Sequence, residues 1–160
     1  MTIRAARAGD APAILSIFRP ILAEGTTYAY DPDTPDGELV EGWMGPGRHA
    51  FVAEEDGQVL GSYTLRPNFP GRGSHVANGS YIVGQAARGR GVGRRLGEHS
   101  LVTARELGFH ALQFNLVVST NTAAVDLWKK LGFEVVGRLP EAFRHPDAGL
   151  VDALVMFRKL

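Results

Sequence analysis

The segment YIVGQAARGRGVGRRLGEHSL, residues 81–101, carries the most concentrated chemistry in the chain. Arg88, Arg90, Arg94 and Arg95 alternate there with Gly89, Gly91 and Gly93, between an apolar run and a helical pattern. A helix N-terminus already holds about half a positive charge and leaves its first backbone N–H groups without partners. Arginines in that position cost stability unless an anion lies among them, and no acidic residue follows in sequence until Glu98. Phosphate is the anion such a loop suits. Glycines lack Cβ, so successive N–H groups can point into one concavity, as a diphosphate requires. The alternative, a solvated basic loop, does not explain why it follows a strand and opens a long helix.

Spacing decides between phosphate loops. A dinucleotide fingerprint begun at Gly89 puts Arg94 where the third glycine belongs, and one begun at Gly91 puts Leu96 there. No Gly-Lys-Ser/Thr occurs, which removes the P-loop. What remains is Arg-x-x-Gly-x-Gly, Arg88 to Gly93, and it resembles the loop on which GCN5-related N-acetyltransferases (GNATs) hold the pyrophosphate of acetyl-CoA. Downstream, NTAAVDLWKKLGFEVVG from Asn121 resembles the same family's Asn-x-x-Ala-x-x-Leu-Tyr-x-x-x-Gly-Phe segment, in the right order. The resemblance covers nearly the whole chain. ILAEGTTYAY and AFRHPDAGLVDALVM are further similar to the phosphinothricin-type branch, whose members acetylate the amino group of small amino-acid-like molecules. It implies an α/β (α+β) GNAT fold, a mixed, mostly antiparallel sheet of about seven strands with helices on both faces and a splayed central strand. It also implies acetyl-CoA as cosubstrate without a metal, direct transfer to a small-molecule amine, and a homodimer.

Acetyl transfer needs an unprotonated amine, stabilisation of charge on the thioester oxygen, and a proton for the departing thiolate. The resemblance assigns the pantetheine arm and the thioester to backbone groups of Tyr81, Ile82 and Val83, where N–H donors act whatever the side chains are. It gives the phosphates to Arg88, Gly89, Arg90, Gly91, Val92, Gly93 and Arg94. Asn121 is placed to cap the helix that follows and, by resemblance, to bond the CoA arm. Trp128 falls where many relatives carry a proton-donating tyrosine, and indole N–H is not an acid of that kind; with Val125 and Leu131 it reads as core or pocket wall. Relatives usually place a glutamate base where Asn78 stands. Asparagine cannot be a base, but it can bind the substrate or position a water; a strand-start turn is the competing role. His75 is the nearest titratable group and the candidate base, against the plainer role of a solvated histidine. Glu24, Tyr28, Asn78, Phe143 and His145 are the acceptor-site candidates. Two alternatives stay open: a CoA-binding GNAT module with little catalysis, and acetylation of a protein N-terminus or lysine.

The bulk composition frames these readings. One domain over residues 1–160 is expected, with 44% hydrophobic and 21% charged residues. Seventeen basic and 17 acidic residues balance, so nothing indicates a nucleic-acid or membrane partner. The chain has no cysteine, which excludes thiolate nucleophiles, disulfides and cysteine zinc sites. No histidine–carboxylate cluster has metal-ligand spacing. Without an apolar leader or a membrane-length run, the expected location is cytoplasmic.

The positioning elements follow from periodicity and punctuation. A short strand leads to a helix with Asp10 as expected N-cap, Pro12 in its first turn and Ile14, Leu15, Ile17, Phe18, Ile21 and Leu22 at helical spacing. A short helix over 38–44 is expected in the turn-rich region that follows. Asp56-Gly57 marks a hairpin, and HVANGSYIV is the strand before the loop. A helix over 91–107 ends at Gly108, ALQFNLVV is a strand, and a second capped helix closes at Gly132. EVVGRLP and LVDALVMFRKL are expected to be two last strands separated by EAFRHPDAG.

Overall fold

The computed structural model describes residues 1–160. Its elements in chain order are β1 (Thr2–Ala5), α1 (Ala11–Glu24), α2 (Asp36–Met44), β2 (His49–Glu55), β3 (Gln58–Pro67), β4 (Val76–Val83), α3 (Val92–Glu106), β5 (Ala111–Val118), α4 (Thr122–Lys130), β6 (Glu134–His145) and β7 (Gly149–Lys159). The seven strands form one sheet in the order β1-β2-β3-β4-β5-β7-β6, in which only β4 and β5 run parallel. This is the GNAT architecture the resemblance implies.

Strand alternation sorts the interior into two layers. Val52 and Ile82 point to one face, where α1 and α2 bring Ile14, Phe18, Leu22, Leu39 and Trp43 against them. Their neighbours Ala53 and Tyr81 point to the other, where α3 and α4 supply Val92, Leu96, Leu101, Val125 and Trp128. Ser62 on the first face accepts a buried hydrogen bond from the Trp43 indole N–H (2.8 Å) and donates to the Phe51 carbonyl. The β2–β3 hairpin turns at Asp56 (φ 50°) and Gly57 (φ 76°), the two positive φ values a tight primed turn demands.

β4 meets β5 over only three residues: Val76 pairs with Ala111, Ala77 with Leu112 and Asn78 with Gln113. Beyond Asn78 the strands diverge, and β4 is left bonded to β3 alone. That splay creates the cavity described below.

Two local expectations are corrected. Asp10 stands just before α1 but makes no side-chain cap to it; its carboxylate accepts from the Arg7 N–H (2.7 Å) and pairs with the Arg4 guanidinium (2.8 Å). The segment EAFRHPDAG is mostly not a connection. β6 runs on through Phe143 to His145 because a register shift at Leu139/Phe143, with Glu141 at φ 52°, absorbs the irregular residues and lets pairing with β7 resume.

Candidate active site

At the C-terminal end of β4 the chain turns through Gly84–Arg88 into α3. Gly89 and Gly91 both adopt positive φ (77° and 76°), which aims the loop's amides outward. The N–H groups of Gly89, Gly91, Val92, Gly93 and Arg94 find no acceptor within the protein; the first to close the helix ladder is that of Arg95, on the Gly91 carbonyl. Five free donors at the positive end of a 15-residue helix form an anion cradle.

The arginines themselves are not unpaired, contrary to the expectation from local sequence. Arg88 pairs with Glu24 at the end of α1 (3.0 Å), Arg90 with Glu55 of β2, and Arg94 with Glu98 one helical turn on (2.8 Å). These pairs are solvent-exposed, so each contributes at most about 1 kcal/mol and can exchange for a phosphate. The unsatisfied groups are the backbone donors.

A cavity of about 750 Å³ lies along this loop, lined also by Ile82, Glu24, Thr26 and His145. A second, of about 500 Å³, fills the β4–β5 splay and is walled by Asn78, Ser80, Phe114, Asn115, Trp128 and Arg66 among others. Tyr28, Tyr81, Val83, Gly93, Asn121 and Leu127 line both, so the two spaces join end to end. The pair fits a long ligand with an anionic end and an uncharged arm, which is the shape of acetyl-CoA.

Tyr28 sits at that junction. Its ring packs edge-on against Phe18 (5.2 Å between centroids) and near Trp43 (6.4 Å). Its hydroxyl donates to the Tyr81 carbonyl (2.6 Å) and accepts from the Tyr81 N–H (2.9 Å). Burial pushes the phenol well above its ordinary pKa, so it stays protonated. Register is unbroken along β3–β4 and the Gly84 N–H bonds the Leu60 carbonyl, so even-numbered β4 residues face β3 and odd-numbered ones the splay. The Val83 N–H is then the splay-facing donor that Tyr28 leaves free. Ile82 turns its backbone to β3 and its side chain into the α1 layer, which corrects its expected backbone role.

A family model described as the acetyltransferase (GNAT) family matches residues 13–133. The chain belongs to that family. A GCN5-related N-acetyltransferase from Kribbella flavida is 51% identical in a solved structure, with a TM-score of 0.95 over 99% of this chain and 97% of that one. The protein yncA of Salmonella typhimurium, solved with its cofactor acetyl-CoA, is 27% identical with a TM-score of 0.88, over 100% and 94% of the two chains. The L-methionine sulfoximine/L-methionine sulfone acetyltransferase of Pseudomonas paraeruginosa is 33% identical over 148 residues, 88% of this chain and 84% of that protein. Other curated relatives are longer: the matched stretch is 47% of one and 13% of another. The cradle and twin cavity fit acetyl-CoA, the cofactor with which yncA was solved.

Within this GNAT site the expected acceptor residues separate. Asn78 is buried in the splay cavity, and its amide N–H₂ donates to the Gln113 carbonyl (3.2 Å), leaving its oxygen free. Asn121 caps α4 by accepting from the Ala124 N–H (3.2 Å) and lines both cavities. Trp128 packs 4.7 Å from Tyr81 and 4.6 Å from Phe114 and forms wall and core together. Glu24 and His145 line the loop cavity rather than the acceptor end; the His145 Nδ1 accepts from Asp147 and Ala148 N–H and ties the β6–β7 turn. Phe143 is buried within β6 and lines neither cavity. His75 is also outside both: it lies where β4 and β5 are still zipped, exposed beside His110. The expected base role of His75 is therefore corrected by its place before the splay opens.

Sequence reasoning missed Arg66, Asn115 and Tyr30, which line the acceptor end. Arg66 is directly cross-strand from Asn78, a pairing set by the β3–β4 register rather than by any motif. No Asp, Glu, His or Lys lines the splay cavity. No three His, Cys, Asp or Glu side chains come together as a metal site, and no helix is long and apolar enough to cross a membrane.

Proposed function

We propose that the protein is an acetyl-CoA-dependent N-acetyltransferase that transfers the acetyl group directly to the amine of a small amino-acid-like molecule. The observation that carries this reading is the junction of the two cavities: a phosphate cradle with five free N–H groups opens into a splay lined by Asn78 and by the edge of β4. The loop donors hold the diphosphate, and the arm runs along Val83 and Asn121. The Val83 N–H faces the space where charge develops on the thioester oxygen. The acceptor amine enters beside Asn78, whose free oxygen accepts from it. The new C–N bond forms as the C–S bond breaks, and the amine's proton leaves to water or to the departing sulfur.

No protein group in the splay cavity takes that proton, since none of its lining side chains is a carboxylate or an imidazole. The α-amine of a free amino acid, beside its own carboxylate, is more basic than a peptide's α-amino group with its reference pKa of about 8, so at pH 7 the reaction draws on a small neutral fraction set by the amine itself. A lysine-type amine, near 10.4, is neutral to less than a thousandth and is the poorer acceptor. This favours an α-amine over a lysine side chain.

Several further expectations belong to this reading. The chain works as one domain in the cytoplasm and as a homodimer. The outer strand β6 exposes Val135, Val136 and Leu139, an apolar edge that a second copy would cover. The test of function is thiol release from acetyl-CoA in the presence of each of the common amino acids and small amines, with calorimetry of acetyl-CoA alone. Turnover of amino acids is expected. Binding of acetyl-CoA without turnover of any amine would reduce the protein to a CoA-binding module.

A further inference from the structure

The charges at the acceptor end are one-sided. Arg66 is the only charged side chain lining the splay cavity, and no ion pair or hydrogen bond within the protein holds it. Arg4, Arg19, Arg88, Arg90, Arg94 and Arg138 all pair with carboxylates elsewhere. Arg48 forms no close ion pair; burial and, after it, the charge of Arg66 lower its pKa, while Glu41 and Tyr30 act in the opposite direction. Arg66 thus faces the cavity with no carboxylate among the lining side chains.

The neighbouring polar groups are also mostly donors. Asn115 on the cavity wall donates its amide N–H₂ to the Asn68 oxygen (2.8 Å), and the amide nitrogen of Asn68 is buried with no acceptor at all. Asn78 supplies the one conspicuous acceptor, its side-chain oxygen, directly across the strand pair from Arg66. Cross-strand partners have Cβ atoms about 5 Å apart and project to the same face. The arrangement sets an anion-binding fork beside a single acceptor for an amine, which is the outline of an α-amino acid: carboxylate and amine on one carbon.

We propose that Arg66 binds the carboxylate of the acceptor and makes the enzyme selective for α-amino acids over uncharged amines of the same side chain. This inference rests on the function proposed above and names the residue that selects within it. Arg66 acts on binding, not on bond making: it holds the carboxylate so that the α-amine lies against the Asn78 oxygen, while the same positive charge disfavours a protonated amine and keeps it neutral. A planar guanidinium suits this better than an ammonium, because it meets both carboxylate oxygens at once.

The test compares matched pairs, the common L-amino acids and their α-carboxamides, in the thiol-release assay with wild type, Arg66→Met and Arg66→Lys. Wild type is expected to prefer acids over amides by roughly 10- to 100-fold in kcat/KM, mostly through KM, as loss of a charge-assisted pair requires. Arg66→Met should bring that ratio towards one, and Arg66→Lys should keep part of it. Amides turned over as well as acids by wild type, or an acid preference surviving in Arg66→Met, would overturn the proposal. So would turnover of neither set by a protein that still binds acetyl-CoA, since the acceptor would then not be an α-amino acid. Absence of acetyl-CoA binding would instead count against the acetyltransferase reading itself. Acetyl-CoA affinity and melting temperature of both variants, expected to stay near wild type, separate a lost carboxylate contact from a lost fold.

Discussion

Tyr28→Phe removes one oxygen atom and, with it, both hydrogen bonds that hold the unzipped edge of β4 at Tyr81. The Tyr81 N–H and carbonyl lie in a partly buried wall where no other protein group reaches them. Each such bond contributes about 0.5–1.5 kcal/mol net, so the pair amounts to about 1–3 kcal/mol. For a chain of this size 1 kcal/mol moves the melting temperature by about 2–4 °C, which gives a fall of roughly 2–12 °C. The phenyl ring stays packed against Phe18 and Trp43, so acetyl-CoA affinity should remain within about threefold. Calorimetric melting and amide exchange of Tyr81 read the two consequences: a lower melting temperature and faster exchange at that single amide. Tyr30→Phe is the control, because the Tyr30 hydroxyl, on a half-exposed ring at the cavity rim, makes no hydrogen bond in the protein. An unchanged melting temperature with unchanged Tyr81 exchange in Tyr28→Phe would refute the clamp.

Gly93 lines both cavities, and a Cβ there would lie 3.6 Å from Leu127 Cδ2 and 3.7 Å from Val83 Cγ2, so Gly93→Val should fold while its γ-carbons narrow the passage. Acetyl-CoA affinity measured by calorimetry should drop at least tenfold with little change in melting. Trp128→Phe should keep most turnover and lose about 1–3 kcal/mol of stability, since the indole packs rather than donates a proton; a thousandfold loss of turnover at unchanged melting would assign it chemistry. His75→Ala should leave turnover unchanged, and the acid limb of the rate profile should follow the acceptor amine's own pKa; a limb that shifts in this variant would return a base role to His75. The Arg4 guanidinium holds the Asp10 carboxyl down to about 2, below its unfolded value near 3.9, so its contribution is present above about pH 4 and lost between there and pH 2. Discounted for the partly exposed Arg4, that contribution is about 1–2 kcal/mol, and acid unfolding of Asp10→Asn should lack it.

The phosphate loop, the helices flanking it and the Asp56-Gly57 hairpin were legible because each is written within a few consecutive residues. Glycines at positive φ, a cap at Asn121 and an apolar stripe are local signals. What the sequence did not disclose depends on contacts far apart in the chain. Glu24 and Glu55 neutralise Arg88 and Arg90 from 64 and 35 residues away, so a loop that looks unpaired in sequence is paired in space. His75 and Asn78 are three residues apart, yet the parting of β4 from β5 after Asn78 leaves only the second beside the cavity. Arg66 joins the site through strand register, which has no sequence signature, and Tyr28, an acceptor-site candidate by resemblance, reaches the Tyr81 backbone through a fold-back of the segment after α1 that no motif announces. β6 was read as too short because its residues 140–142 break the alternation that a bulge repairs.

The most direct measurement is calorimetric titration of the protein with acetyl-CoA and, in parallel, with acetylpantetheine, which carries the same thioester and arm but no phosphates. If the free N–H groups at Gly89–Arg94 hold a diphosphate, acetyl-CoA should bind with micromolar affinity and acetylpantetheine at least a hundredfold more weakly, and Gly93→Val, which narrows the passage both donors use, should weaken each of them. Equal affinity for the two donors, or no binding of acetyl-CoA, would contradict it.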